Sequence, residues 1–164
     1  MQPMRLRLAA LPLIVAVALA GCGGGGDDAA KRRDQREIER IYFDSAYAEF
    51  DGDGEKACVN YTGPYKAEVV KEIVSGGAGQ IEGKTCERVI RNLEPLLRKY
   101  APHPNLRISH LEISGDRASL VATIDTNFGP SRSKAFLTRV NGRWKISHDE
   151  DLGNVQQGVT ASQQ

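Results

Sequence analysis

Charge of one sign is missing from this chain. Its 164 residues carry 22 Lys and Arg against 21 Asp and Glu, a formal net charge of +1. No broad basic surface is available to track a phosphate backbone, which excludes nucleic acid as a partner. Long apolar runs are missing too. The longest, Leu8 to Ala20, has about 13 residues where roughly 20 are needed to cross a hydrocarbon core, so a permanent spanning helix is excluded. Cysteine is scarce: Cys22, Cys58 and Cys86 are the only three. They form no Cys-x-x-Cys, and no His stands at ligand spacing beside them, which excludes a zinc site and a dithiol redox centre. The length admits one domain of ordinary size and no two-domain enzyme. What is present, 40% hydrophobic and 26% charged residues, is the composition of a folded globular domain.

The N-terminus reads as an export signal. Arg5 and Arg7 form a basic start, Leu8 to Ala20 an apolar centre, and Leu19-Ala20-Gly21-Cys22 a small-residue end. That tetrad resembles the lipobox of bacterial lipoproteins. The resemblance implies removal of residues 1–21, acylation of Cys22, and a lipid-anchored protein on the extracytoplasmic face of the cell membrane, with the bilayer as a partner. Each buried methylene of the acyl chains would contribute about 0.8 kcal/mol to anchoring. Losing Arg5 and Arg7 leaves a net charge of −1. Residues 22–30, opening on Gly23-Gly24-Gly25-Gly26, read as a Gly-rich tether. Lys31, Arg32, Arg33 and Arg36 follow it, offset by Asp27, Asp28 and Asp34, and read as a solvated helix start.

An oxidising compartment changes the meaning of the other two cysteines. With Cys22 acylated, Cys58 and Cys86 remain as a pair, and a structural disulfide is expected. In the chain-entropy account, closing a loop of about 28 residues contributes ~3 to 4 kcal/mol.

The hydrophobic period changes once along the chain. Lys31 to Phe50 runs without Gly or Pro, with Ile38, Ile41, Tyr42, Ser45 and Ala46 at helical spacing and Phe43, Tyr47 and Phe50 as a second stripe. Asp51-Gly52-Asp53-Gly54 stops that helix and caps a short second one. Thr62-Gly63-Pro64 is a break, after which Tyr65 to Val74 is helical again. Thr85 caps a fourth, amphipathic segment from Cys86 to Tyr100 that contains Pro95. Beyond it the period is two. Leu106 to Ile113 and Arg117 to Thr126 flank Ser114-Gly115-Asp116, and Lys134 to Val140 and Arg143 to His148 flank Asn141-Gly142, the signature of a type I′ hairpin. Counting out from that turn pairs Leu137 with Ile146 and places Leu137, Trp144, Ile146 and His148 on one face. Residues 152–164 read as a polar tail. Helices followed by an antiparallel meander define the α+β class and exclude a doubly wound parallel sheet.

Several of these segments together resemble the nuclear-transport-factor-2-like superfamily, and in particular its small actinobacterial envelope lipoproteins. They are Ile41-Tyr42, Ala46, Phe50 to Gly54, Ala57-Cys58, Tyr61-Thr62, Tyr65 and Val140 to Ile146. The resemblance spans residues 31–151 and implies a cystatin-like cone, with helices packed in a curved antiparallel sheet and often a pocket at the open end. A non-enzymatic module binding a small apolar ligand or an envelope protein is then expected, with no cofactor. Tyr42, Tyr47, Phe50, Leu97, Leu137, Trp144, Ile146 and His148 are the expected pocket walls. A homodimer through the outer sheet face is also implied. The competing expectation is an isomerase or dehydratase in which His148, His110 or Asp125 is the general base and Tyr47 the partner acid.

Three motifs carry less than they promise. Ala78 to Thr85 fits a relaxed phosphate-loop pattern, but Lys71 and Glu72 sit in the segment that would have to be its buried strand. Asp51 to Glu55 opens like a calcium loop, yet Lys56 and Thr62 occupy the positions that require Gly and Glu. Asn60-Tyr61-Thr62 is formally a glycosylation sequon and reads most simply as a helix terminus. No metal site is expected.

Overall fold

The computed structural model describes residues 25–76 and 81–154. Four helices, α1 (Gly25–Phe50), α2 (Gly54–Cys58), α3 (Gly63–Ser75) and α4 (Cys86–Tyr100), precede four strands, β1 (Leu106–Ser114), β2 (Arg117–Thr126), β3 (Gly129–Val140) and β4 (Arg143–Asn154). The strands form one antiparallel sheet in the order β1-β2-β3-β4. The α+β expectation is met, with the helices collected on the concave face of a curved meander.

The helix boundaries follow from local chemistry. Asp53, Thr62 and Thr85 each accept a hydrogen bond from a first-turn amide, capping α2, α3 and α4. Pro64 lies in the first turn of α3, where its missing N–H costs nothing. The calcium-like motif therefore resolves into a cap at Asp53, and Thr85 at the end of the phosphate-loop-like motif is a cap too. Residues 78–80 of that motif lie outside the described residues, and the segment carrying Lys71 and Glu72 is helix α3 rather than a strand. Gly54 is required by proximity: a Cβ there would stand 2.1 Å from the Glu87 carbonyl oxygen, so α2 and α4 touch backbone to backbone. Cys58 and Cys86 are joined in a disulfide across that contact, with their Cα atoms 6.1 Å apart.

Two boundaries differ from the sequence reading. Helix α1 begins at Gly25, so residues 25–30 of the expected tether are helical. Asp28 in the first turn complements the helix dipole, and Ala29 and Ala30 are strong helix formers. Strand β4 continues to Asn154, into the expected tail, because β3 starts at Gly129 and offers Arg132 and Ser131 as partners for Gly153 and Asn154, with Leu152 left unpaired at a second shift of register. Cys22, residues 1–24 and residues 155–164 lie outside the described residues.

The core lies between α1 and the sheet. Ile38, Ile41 and Tyr42 of α1 pack on Leu120 and Ala122 of β2, Ala135 and Leu137 of β3, and Trp144 and Ile146 of β4. Burying each large side chain of this set contributes about 1.5 to 3 kcal/mol. Asn141 and Gly142 both have positive φ, 50° and 77°, as the type I′ turn requires, and the pairings Val140–Arg143, Arg139–Trp144 and Leu137–Ile146 are observed. Beyond them the register shifts: Leu137 pairs with Ile146 but Phe136 pairs with His148, leaving Ser147 as a bulge. The outer edge of β4 is covered by residues 60–62. The Ile146 amide donates to the Asn60 carbonyl at 2.8 Å, and the Thr62 amide donates to the Ile146 carbonyl at 2.9 Å.

Candidate functional site

A recess of about 150 Å³ opens where the lower half of α1 leaves the sheet. Its wall on α1 is Tyr42, Ser45, Ala46, Glu49 and Phe50; Tyr61 and Tyr65 close it from the helical side, and Ser133, Ala135, Ile146 and Asp149 from the sheet. A shallower continuation at the mouth adds Glu72, Arg132 and Asp151.

Two carboxyl groups meet in this recess. Glu49 lies at the helical end of the stripe Ile38, Tyr42, Ser45, and it accepts a hydrogen bond from the Tyr61 hydroxyl. Loss of hydration raises its pKa to about 7, and the Asp149 charge adds to the rise while the Tyr61 hydrogen bond opposes it. Asp149 enters from β4 and is reached by solvent through the mouth, yet protein atoms crowd its carboxyl on the remaining sides. That crowding raises its pKa to about 7 as well, against the Glu150 amide, His148 and Ser133, which pull the other way. The tyrosines are held above the ordinary phenol range, chiefly by burial, so they remain hydroxyl donors. Tyr42 and Ser133 share a hydrogen bond of 3.3 Å, and Asn60 donates to Ser45 at 3.0 Å. The site is a half-enclosed, tyrosine-rich cup whose two carboxyls gain and lose protons near neutrality.

Of the residues expected to line a pocket, Tyr42, Phe50 and Ile146 do so. Leu137 and Trp144 are 2% and 1% exposed and belong to the solid core. Leu97, on α4, is half-buried away from the recess. Tyr47 is turned outward, 38% exposed and stacked on Phe43. His148 is reversed by the Ser147 bulge: it lies on the outer face, stacks on Phe136 and stands 3.0 Å from Glu68. The same bulge turns Asp149 inward in its place.

The other proposed bases are also elsewhere. Asp125 forms a two-pronged ion pair with Arg107 at 2.7 and 3.0 Å, which holds its carboxyl below the usual carboxylate range. His110 is at the surface beside Glu112. Sequence reasoning missed Glu49, although a carboxylate continuing the buried stripe at positions 38, 42 and 45 was a usable signal. Asp149 had no such signal, because the bulge that aims it depends on pairing with β3. No group of His, Cys, Asp and Glu suited to a metal ion occurs among the described residues.

The architecture is that of solved cone-shaped proteins. A nuclear-transport-factor-2-like protein of unknown function from Silicibacter pomeroyi is similar at 16% identity over 74% of this chain and 98% of its own, with a TM-score of 0.51. A protein of unknown function with a cystatin-like fold from Nostoc punctiforme matches at 16% identity over 72% of this chain and 89% of its own, TM-score 0.47. A nuclear-transport-factor-2-like protein from Shewanella baltica matches at 16% identity over 72% and 94%, TM-score 0.46. No protein-family profile matches the chain, and no curated protein is similar to it. By its likeness to the Silicibacter pomeroyi protein, the fold is nuclear-transport-factor-2-like.

Proposed function

We propose that this protein is a lipid-anchored binding module of the cell envelope, held to the extracytoplasmic face of the membrane by acylated Cys22, and that its cone takes up a small ligand. The observation that carries the binding reading is the recess itself, open at one end and lined by Tyr42, Tyr61, Tyr65, Glu49 and Asp149. Concave sites with apolar walls and a few convergent polar groups are where small molecules bind. The Leu19-Ala20-Gly21-Cys22 tetrad supports the anchor, and the Cys58–Cys86 disulfide is in keeping with an oxidising compartment. Among the described residues no helix is long and apolar enough to cross a membrane.

The anchor is tested by expressing the full chain and its Cys22→Ser variant in a bacterial host, feeding an alkynyl fatty acid and separating membranes. Wild-type protein should carry the label and sediment with membranes, while C22S should be unlabelled. Equal behaviour of the two sinks the anchor.

One observation favours a second reading. A pair of carboxyls with pKa values near neutrality, beside hydroxyl donors, is also the equipment for moving a proton to or from carbon. Deuterium wash-in to a bound carbon acid, lost in Glu49→Gln or Asp149→Asn, would establish turnover. Its absence across bound ligands leaves the site a receptor.

A further inference from the structure

We infer that the ligand of this cup is a small organic cation carrying an ammonium head. This rests on the binding reading above and names its ligand class.

Three features of the recess point the same way. Its two ionisable end groups, Glu49 from α1 and Asp149 from β4, are both carboxyls, and among the described residues no Lys, Arg or His lines the inner cup. Three tyrosines stand in the remaining wall, Tyr42, Tyr61 and Tyr65, the last two packed against each other with centroids 4.9 Å apart. Carboxylates combined with aromatic rings recognise ammonium groups, since ring quadrupoles attract a desolvated cation without demanding a hydrogen bond. The mouth repeats the sign, with Glu72 and Asp151 against Arg132 among the described residues. An acidic funnel raises the local concentration of cations and repels anions.

Two negative charges are poorly accommodated in the cup, so a cation that binds there must move protons. Glu49 and Asp149 each hold protons up to about pH 7, Glu49 through loss of hydration and Asp149 because protein atoms crowd a carboxyl that solvent still reaches from the mouth. The groups around them relieve this only in part, through the Tyr61 hydroxyl at Glu49 and through the Glu150 amide, His148 and Ser133 at Asp149. Tyr42 and Tyr61 are neutral, α3 presents Tyr65, Glu68 and Glu72, and β4 adds Asp151, while His148 is engaged with Glu68 and Arg132 stands at the mouth. An ammonium ion entering the cup supplies the missing counter-charge, so the carboxyls ionise as it binds and release protons. Binding must strengthen as pH rises through neutrality.

The test uses choline and its uncharged isostere 3,3-dimethyl-1-butanol, titrated into the purified extracytoplasmic domain by calorimetry at pH 6 and pH 8. A pH indicator in weak buffer at pH 7 follows proton release. Choline has no titrating ammonium proton, so any proton released comes from the protein. Choline is expected to bind at least tenfold more tightly than the isostere at pH 8, to weaken several-fold at pH 6, and to release protons. Glu49→Gln and Asp149→Asn should each weaken choline about tenfold, with melting curves showing that both variants are folded. Equal affinity for choline and the isostere would overturn the cation assignment and leave a binding module for neutral ligands. Choline binding with no pH dependence and no proton release would overturn it by removing Glu49 and Asp149 from the site. No binding of either compound at tens of millimolar would overturn it together with the binding reading.

Discussion

Glu49 shows how one side chain can couple stability to pH. Its pKa of about 7 in the folded protein lies above the ordinary value of 4.5, so between those values the folded state holds the proton more tightly than the unfolded chain. The stabilisation is complete below about pH 4.5 and is lost as the pH rises through about 7. Asp34, held low chiefly by Arg139, and Glu87, held low chiefly by its own backbone amide, have the opposite sign. Their contribution is present above the unfolded carboxyl range and lost on acidification, so it does not mask the neutral window. Glu49→Gln should therefore melt higher than wild type at pH 8, by on the order of 1 to 3 kcal/mol of stability, and converge with it at pH 5. Asp149 leaves a residual slope in the same window. Thermal melts of both proteins from pH 5 to pH 8 measure this, and parallel curves would remove Glu49 as its source.

At the level of elements, legibility in the sequence tracked how local the determining chemistry is. The Asn141-Gly142 hairpin and the caps Asp53, Thr62 and Thr85 were readable because each depends on residues within a few positions. The early start of β3 was not, since Gly129 and Pro130 extend the strand only because β2 supplies partners in Thr126 and Asp125. The two cavity carboxyls divide along the same line. Glu49 continues a visible helical stripe, whereas Asp149 owes its direction to a bulge. The pairing of α2 with α4 belongs to this scale too. Gly54 permits their backbone contact and the Cys58–Cys86 bond locks it. Replacing both cysteines by serine should cost about 2 to 4 kcal/mol. Urea unfolding of the oxidised protein and the double variant tests this, and coincident midpoints would show the bond to be dispensable.

For the whole molecule, the helix that reaches toward the N-terminus is a stalk before it is part of the body. Residues Lys31, Arg32 and Arg33 are exposed, and the first fully buried side chain after them is Ile38. The first long-range tie is Asp34, which accepts from the Arg139 guanidinium at 2.7 Å, while that guanidinium lies 4.6 Å from the centre of the Trp144 ring. A protein beginning at residue 31 should keep the stability of one beginning at residue 25. One beginning at residue 37 should lose on the order of 1 kcal/mol with the ion pair. Chemical denaturation of the three lengths checks this, and equal loss in both truncations would place stabilising contacts in residues 25–30. Should Cys22 be acylated, only residues 23 and 24 would separate it from the helix at Gly25, so the cone would stand off the bilayer on a stiff rod rather than a slack leash.

The extra residue at Ser147 makes chain length a chemical variable. Had the strand alternated regularly past Ile146 with that serine paired, the imidazole of His148 would face the chamber and the carboxylate of Asp149 the solvent; the bulge exchanges the two. One residue in excess of strict alternation thereby sets an acid where a nitrogen base would otherwise stand, without altering either side chain.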